Sequence, residues 1–512
     1  MTKKNWKNSL VASLAAAVLA ACAAAPKPLP DGPRAAAAAE RGTFTEAEIA
    51  ASPAAQTLRQ LIDAITKGDD AIRAFAAANP RQQADSRPED SRLFELLSLR
   101  HASRGYELLR FTRVSATEAE AAIRNQLSGD VESVLVRVEA EPPHRLRGYR
   151  LGVDMALQKS TAVLATDEER VKEVAAYVQR LADGDYFSGT VLIAKAGTPI
   201  FERAYGFADR EKRIPNRLDT RFRLASVNKM FTALAIGRLV EQGKLSYDDP
   251  LSKFVPDYPD RESAQKIRVK HLLSHTSGLG DAHDFIASEQ FWANVGTITD
   301  VASTLAVAGR APLESEPGTT WNYSNTGFVL LGRIIEVVTG EDYFEHLTRS
   351  MFRPLGLEST GFPLLDSDPR IALPYEARLK ADGQLEIGVA RQRTRRGGPA
   401  GDAVSNVHDL LRFAEALRGG KVVSEQTLRL HAARKPELGS PFYGYGMTQD
   451  FPGRDIYGHG GGAPGVCTQV GIIRDTPSPY TVVVLGNTQG ACKGVVAKIF
   501  NSFTSGGGRA GK

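Results

Sequence analysis

Between residues 166 and 505 the strand-forming segments lie at the two ends, separated by a stretch of about 225–440 that is mostly helical and loop-rich. Alternating apolar runs predict strands over 190–196 and 200–205, around the turn Gly197-Thr198-Pro199, and again over 467–473 and 480–485. Helical spacing of apolar residues predicts helices over 169–182 and 494–503. Strands supplied by both ends, terminal helices to cover them and a helical insertion describe two lobes: an antiparallel sheet with its helices, and a mostly helical lobe. A cleft belongs at the boundary between them.

A smaller unit is expected over 46–160, ahead of the larger one over 166–505. Leu58, Leu61, Ile62 and Ile65, then Leu93, Leu96, Leu97 and Leu99, fall at helical spacing, and strand-like runs follow at 106–114, 133–138 and 146–153. Helices followed by an antiparallel meander predict a small α+β roll. It resembles the NTF2-like or cystatin-like domains that accompany hydrolases and carries no cluster of catalytic side chains, so it reads as a spacer or docking module.

Composition narrows the partners. Lys+Arg number 64 against 59 Asp+Glu, intermixed along the chain, which excludes a nucleic-acid arm or an acidic tail as the main theme. Lys3, Lys4 and Lys7 precede an apolar run over 10–21 that is too short to span a bilayer. Leu19-Ala20-Ala21-Cys22 then resembles the bacterial lipobox. The expectation is a signal peptide over 1–21, lipid attachment at Cys22, a Pro/Ala-rich tether over 22–45 and an outer-membrane protein facing the periplasm, with Ala23 after the cysteine pointing to the outer membrane. The remaining thiols, Cys467 and Cys492, flank a hairpin that brings them near each other, so in an oxidising compartment they are either bonded or free. No C-x-x-C pair is present for structural zinc or thioredoxin-like chemistry, and no metal or cofactor is implied.

Ser226-Val227-Asn228-Lys229 opens a helix whose residues Val227, Met230, Phe231, Leu234 and Leu239 share an apolar face. A spacing of three sets Ser226 and Lys229 on one side. The exposed N–H groups and dipole of a helix start favour the negative charge that a serine nucleophile and an oxyanion develop. Ser-x-x-Lys alone is weak, because Ser263-Ala264-Gln265-Lys266 repeats it between charged residues. Specificity comes from Tyr323-Ser324-Asn325, followed by a helix, and from His459-Gly460-Gly461, just before the C-terminal hairpin.

Three motifs in this order resemble the serine β-lactamase-related family, which includes class C β-lactamases, D-stereospecific peptidases and esterases of the β-lactamase fold. Further local matches lie at 245–250, 271–279 and 354–357. The resemblance implies a β-lactamase-like α/β domain behind the N-terminal roll and a serine hydrolase that forms an acyl-enzyme on esters or amides. It makes Ser226 the nucleophile, Lys229 its proton acceptor or electrostatic partner, and Tyr323 a general base whose phenol must be pulled down from ~10 by cations such as Lys229. Asn325 would orient substrate, and the N–H groups of Ser226 and Gly462 would form the oxyanion hole.

The third motif departs from the Lys-Thr-Gly common in penicillin-recognising relatives. A histidine is mostly neutral at pH 7, so His459 beside the glycine strand of Gly461 and Gly462 fits substrates without an obligatory carboxylate. The alternatives are a penicillin-binding peptidase or β-lactamase, and a binding lipoprotein that has lost turnover. The basic run Arg391, Arg393, Arg395 and Arg396 would restore an anion site only if its loop reached the cleft, and a solvated loop is the expectation. His271 and His275 lack the glutamate of a zinc motif and read as cleft wall. His459-Gly460-Gly461-Gly462 is not a lipase oxyanion loop, since no G-x-S-x-G elbow accompanies it.

Overall fold

The computed structural model describes residues 44–81, 91–153, 166–280, 295–308, 313–391, 394–449, 455–474, 476 and 478–504. The expected signal peptide, Cys22 and most of the tether lie outside these residues. Among the described residues no helix is long and apolar enough to cross a membrane.

The first unit contains helices α1 (Glu46–Ala51), α2 (Pro53–Lys67), α3 (Asp69–Ala78) and α4 (Arg92–Ser103), then strands β1 (Tyr106–Val114), β2 (Glu118–Asn125), β3 (Val131–Val138) and β4 (Leu146–Val153). The strands form an antiparallel meander in chain order. Ser52 starts α2 as an N-cap accepting from Ala55 N–H at 3.0 Å, with Pro53 at the first helical position, and Gly68 ends it. Leu58, Leu61 and Ile65 of α2 pack onto Ala119, Ala121, Ile123, Val134 and Val136 to make this unit's own core. Strand β2 was not anticipated: Glu-Ala-Glu-Ala-Ala-Ile-Arg-Asn has helix-forming composition, but Ala119 and Ala121 are the small residues that let α2 lie close on the sheet.

Helix α5 (Asp167–Asp183) starts on a capping box between Thr166 and Glu169. Strands β5 (Gly189–Lys195) and β6 (Thr198–Tyr205) follow, then α6 (Lys229–Glu241), α7 (Asn325–Thr339), the hairpin β7 (Tyr375–Leu379) and β8 (Leu385–Val389), and α8 (Val407–Arg418). The chain closes with β9 (Ile456–Ala463), β10 (Val466–Ile473), β11 (Tyr480–Gly486) and α9 (Cys492–Thr504). The five-stranded sheet runs β9-β10-β11-β5-β6. The antiparallel pairing of β11 with β5 ties the two ends of the unit together as expected. Helices α5 and α9 cover one face, burying Val174, Val178, Val495, Ile499 and Phe500, and the helical lobe covers the other.

Helix α6 is buried nearly all round rather than on one face. The small residues Ala233, Ala235 and Gly237 admit neighbours on its second side: a Cβ on Gly237 would sit 3.0 Å from His431 Nε2. A helix apolar on every side belongs in the middle of a lobe, and each fully buried Leu, Ile or Phe there contributes roughly 1.5–3 kcal/mol.

The middle also holds an unexpected hairpin, β7–β8, whose Leu379 and Leu385 pack against the core of the first unit. The units are joined again by Tyr177 Oη donating to Asp130 Oδ2 at 2.7 Å and by Arg180 Nη2 donating to Ser128 O at 2.8 Å. Cys467 and Cys492 are neighbours as expected and are not joined by a disulfide here. Cys492 Sγ is turned onto the Cys467 carbonyl at 2.6 Å, while Cys492 N–H donates to Cys467 Sγ at 3.1 Å.

Candidate active site

Ser226 lies in a 3-10 turn, Ala225–Asn228, that leads directly into α6. Ala225 has φ 44°, a left-handed conformation that costs a non-glycine residue about 1–3 kcal/mol and persists only where its surroundings enforce it. Here they do: Asp402 N–H donates to Ala225 O at 3.1 Å, Leu224 N–H to Ala403 O at 2.8 Å, and Thr468 Oγ1 to Leu224 O at 2.8 Å. The buried pair Arg223–Asp402, 2.6 Å apart, fastens the same loop. Asn228 Nδ2 reaches Gly398 O at 2.8 Å and Thr232 Oγ1 reaches Pro399 O at 2.7 Å. The loop 398–403 is thus a wall of the site that the sequence reading missed, although its Gly398-Pro399-Ala400-Gly401 run is a plain loop signal.

The three expected catalytic side chains converge. Tyr323 Oη donates to Ser226 Oγ at 2.8 Å, and Lys229 Nζ to the same oxygen at 3.3 Å. The fully buried Lys229 also donates to Asn325 Oδ1 at 2.7 Å and to Ala400 O at 2.5 Å, oxygen acceptors that suit an ammonium. Its Nζ sits 4.8 Å from the centre of the Tyr323 ring. Asn325 begins α7, capped by Ser324 Oγ accepting from Gly327 N–H.

The hydrogen bonds of His459 go to neighbours other than Ser226. Its Nε2 pairs with Tyr443 Oη at 2.8 Å and its Nδ1 with Gly460 O at 2.5 Å. A carbonyl can only accept, so Nδ1 carries the proton and Nε2 accepts from the phenol. Burial, helped by the Lys229 charge, pushes this histidine down to about 3, so it is neutral at pH 7.

Two groups beneath Tyr323 were missed or underread. His275 stacks on the Tyr323 ring at 4.2 Å and takes the Ser324 N–H on Nδ1 at 3.1 Å, and burial holds it well below the ordinary histidine range. The Tyr443 ring lies 4.6 Å from that of His275 and carries the contact to His459. The His-Thr-Ser-Gly segment was the available signal for His275. For Tyr443 only the Tyr443-Gly444-Tyr445-Gly446 run was.

Strand β9 is the sheet's open edge beside the serine. A Cβ on Gly461 would meet Leu224 O and Thr468 Oγ1, both at 2.3 Å, so only glycine lets this strand lie against the Ser226 turn. Gly458 O accepts from Thr448 N–H across the outer edge at 2.8 Å. The two-residue period of a strand then turns the N–H groups of Gly460 and Gly462 to that same edge. A cavity of about 230 Å³ runs along it, lined by Ser226, Tyr323, Tyr443, His459 and the β9 glycines.

The remaining candidates fall elsewhere. Arg395 pairs with Asp366 at 3.0 Å, and Arg396 donates to Phe362 O and lies 3.8 Å over the Phe344 ring. Arg396 is thus packed against an aromatic ring instead of being fully solvated, and neither arginine lines the cavity. Arg393 lies outside the described residues. The second Ser-x-x-Lys is spent locally: Ser263 bonds Asp260, and Lys266 pairs with Glu262 at 2.9 Å. His271 accepts the Arg268 N–H on Nδ1 at 3.2 Å, as part of the wall.

A serine hydroxyl held between a phenol and a buried lysine, beside edge N–H groups, is the set of parts that acyl transfer needs. The comparisons agree. Residues 174–499 match the family described as Beta-lactamase. Penicillin-binding protein 4* of Bacillus subtilis (strain 168) is 30% identical over 342 residues, 63% of this chain and 73% of that protein. Esterase EstB of Burkholderia gladioli is 30% identical over 320 residues, 53% of this chain and 77% of that protein. The D-stereospecific amidohydrolase from Streptomyces sp. superposes with TM-score 0.51 at 27% identity, covering 64% of this chain and 96% of that one. The chain belongs to the Beta-lactamase family and is a serine hydrolase of that fold.

Proposed function

We propose that the protein hydrolyses esters or amides that carry no obligatory carboxylate, through an acyl-enzyme on Ser226. The observation that carries this reading is the neutral, fully engaged His459, bonded to Tyr443 and Gly460 where a penicillin-recognising site would place a free cation. The likeness to an esterase and to a D-stereospecific amidohydrolase supports it.

In this reading Ser226 Oγ forms a bond to the substrate carbonyl carbon as its proton passes to Tyr323 Oη. A phenolate is the form that can take that proton, and the buried Lys229 ammonium supplies the positive charge it needs. The carbonyl oxygen becomes an oxyanion held by the N–H groups of Ser226 and Gly462. The bond to the leaving oxygen or nitrogen breaks as Tyr323 returns the proton to it. Water then attacks the acyl carbon, gives its proton to Tyr323, and the acid leaves as Ser226 is reprotonated. Asn325 orients substrate while fixing Lys229.

A second reading, acylation by penicillin, is favoured by the likeness to penicillin-binding protein 4*. We further propose that Cys22 is lipidated and anchors the chain at the outer membrane facing the periplasm, with the first unit as spacer or docking module. Incubation with p-nitrophenyl esters, D-amino-acid anilides and a penicillin tests the substrate class. Ester or anilide turnover lost in Ser226→Ala supports the proposal, and stable penicillin acylation without ester or anilide turnover overturns it. Metabolic labelling with a fatty acid, lost in Cys22→Ser, tests the anchor, and a label retained in that variant contradicts it.

A further inference from the structure

The cavity beside Ser226 does not stop at the catalytic face of β9. Side chains alternate along a strand, so Tyr457, His459 and Gly461 face the serine while Ile456, Gly458, Gly460 and Gly462 face helix α9. Pairing confirms the sides: Gly462 is opposite Cys467 and Gly458 opposite Gly471, whose own Cβ would strike the Phe500 ring at 2.5 Å. On the α9 side, therefore, most of β9 carries no side chains. The same cavity that touches Ser226 also meets Cys467, Cys492, Val496 and Phe500 on the α9 side of β9, with the Gln469 amide over Gly460 and the exposed Lys493 as its polar lining there. The first four are buried, and a buried cysteine behaves as a small apolar group.

We infer that this groove between β9 and α9 is the binding site for a linear aliphatic acyl chain on the substrate carbonyl. The inference rests on the acyl-enzyme reading and names its substrate class: esters of medium-length fatty acids. A group attached to the acyl carbon stays bonded to Ser226 while water enters, so it suits a recess whose buried lining is mainly apolar. The leaving group must vacate its place for that water and suits the open side of the cleft. Each methylene that enters the recess gains roughly 0.8 kcal/mol by leaving water.

The test uses the full chain and two ester series. In the first, p-nitrophenol is the constant leaving group and the acyl part lengthens from acetate to octanoate. In the second, acetate is constant and the alcohol lengthens. Ala497, exposed on α9 at the mouth of the groove, is changed by Ala497→Trp, which fills it without touching the core. Wild type is expected to prefer octanoate over acetate, and the octanoate-to-acetate ratio of kcat/KM should fall about tenfold in the variant, with the alcohol series unmoved. Acetate turnover of the same sample reports that the variant is folded. An unchanged ratio, or a shift confined to the alcohol series, overturns the groove while leaving the ester reading intact. No turnover of any ester by wild type, with anilide turnover present, overturns the groove together with the ester half of that reading.

Discussion

The two sheets of this molecule are built alike and used differently. In the first unit, β1–β4 bury one face under α2 and cover the other with ion pairs such as Arg124–Glu107 at 2.8 Å and Arg137–Glu118 at 2.6 Å. Every strand position there serves packing or solvation. In the second unit β9 gives up side chains at Gly458, Gly460, Gly461 and Gly462, and among the described residues no strand pairs with its edge beyond Gly458, beside Ser226. The contrast teaches that catalysis here is obtained by withholding side chains so that backbone N–H groups, a substrate and a strained serine turn can meet. The stability to tolerate this comes from the helical lobe and from α5 and α9 behind the sheet.

Acid should separate the two units most strongly. Burial holds His271 at about 4, His431 and His459 at about 3, and His275 lower than the ordinary 6.5, all in the second unit. The unfolded chain takes up these protons near 6.5 and the folded chain does not. The stabilisation is therefore complete above that value and is lost as pH falls from about 6.5 toward 3–4, by ~1.4 kcal/mol per histidine per pH unit. Hydrogen exchange at pH 7 and 5 should show the hydrolase unit loosening first. In the first unit burial lowers His101 too, but that ring lies at the junction against Tyr186.

Next in size, Tyr323→Phe should cut kcat/KM about 1000-fold, since it removes the proposed proton carrier and leaves the ring on His275 in place, with the melting temperature nearly unchanged. A loss under tenfold would transfer the proton role to Lys229. Gly461→Ala should cost about 100-fold, because the added Cβ pushes β9 off the Ser226 turn and misplaces the edge donors. Its counterpart in the first unit, Gly148→Ala, has nothing within 4 Å of the new atom and should change neither turnover nor stability. The smallest measurable loss belongs to the junction: Tyr177→Phe removes the bond to Asp130 and should cost ~1 kcal/mol in urea unfolding while leaving ester turnover alone.

What the sequence made legible follows from the range of the forces involved. The terminal hairpins, α5 and α9 were readable because periodicity is local. Ser226, Lys229 and Tyr323 were readable because three short motifs in a fixed order carry a family's signature. Strand β2 was hidden, since its alanines are selected by the approach of α2, a contact distant in sequence. The all-round burial of α6 was hidden for the same reason, as was the role of Tyr443, which is set by two histidines far away in the chain. The loop 398–403 carries no reactive side chain into the site and acts through backbone carbonyls, which no residue pattern reports. Hairpin β7–β8 alternates weakly, and its purpose is a contact with the other unit.

The central claim is that this geometry makes Ser226 the atom that is acylated. It is met most directly by quenching the protein in acid within its first turnovers on a p-nitrophenyl ester and mapping the adduct by peptide mass spectrometry. An acyl group on the peptide that carries Ser226, absent in Ser226→Ala, is the predicted result. An adduct that persists in that variant, or that maps to Ser263 or to a cysteine, would contradict it.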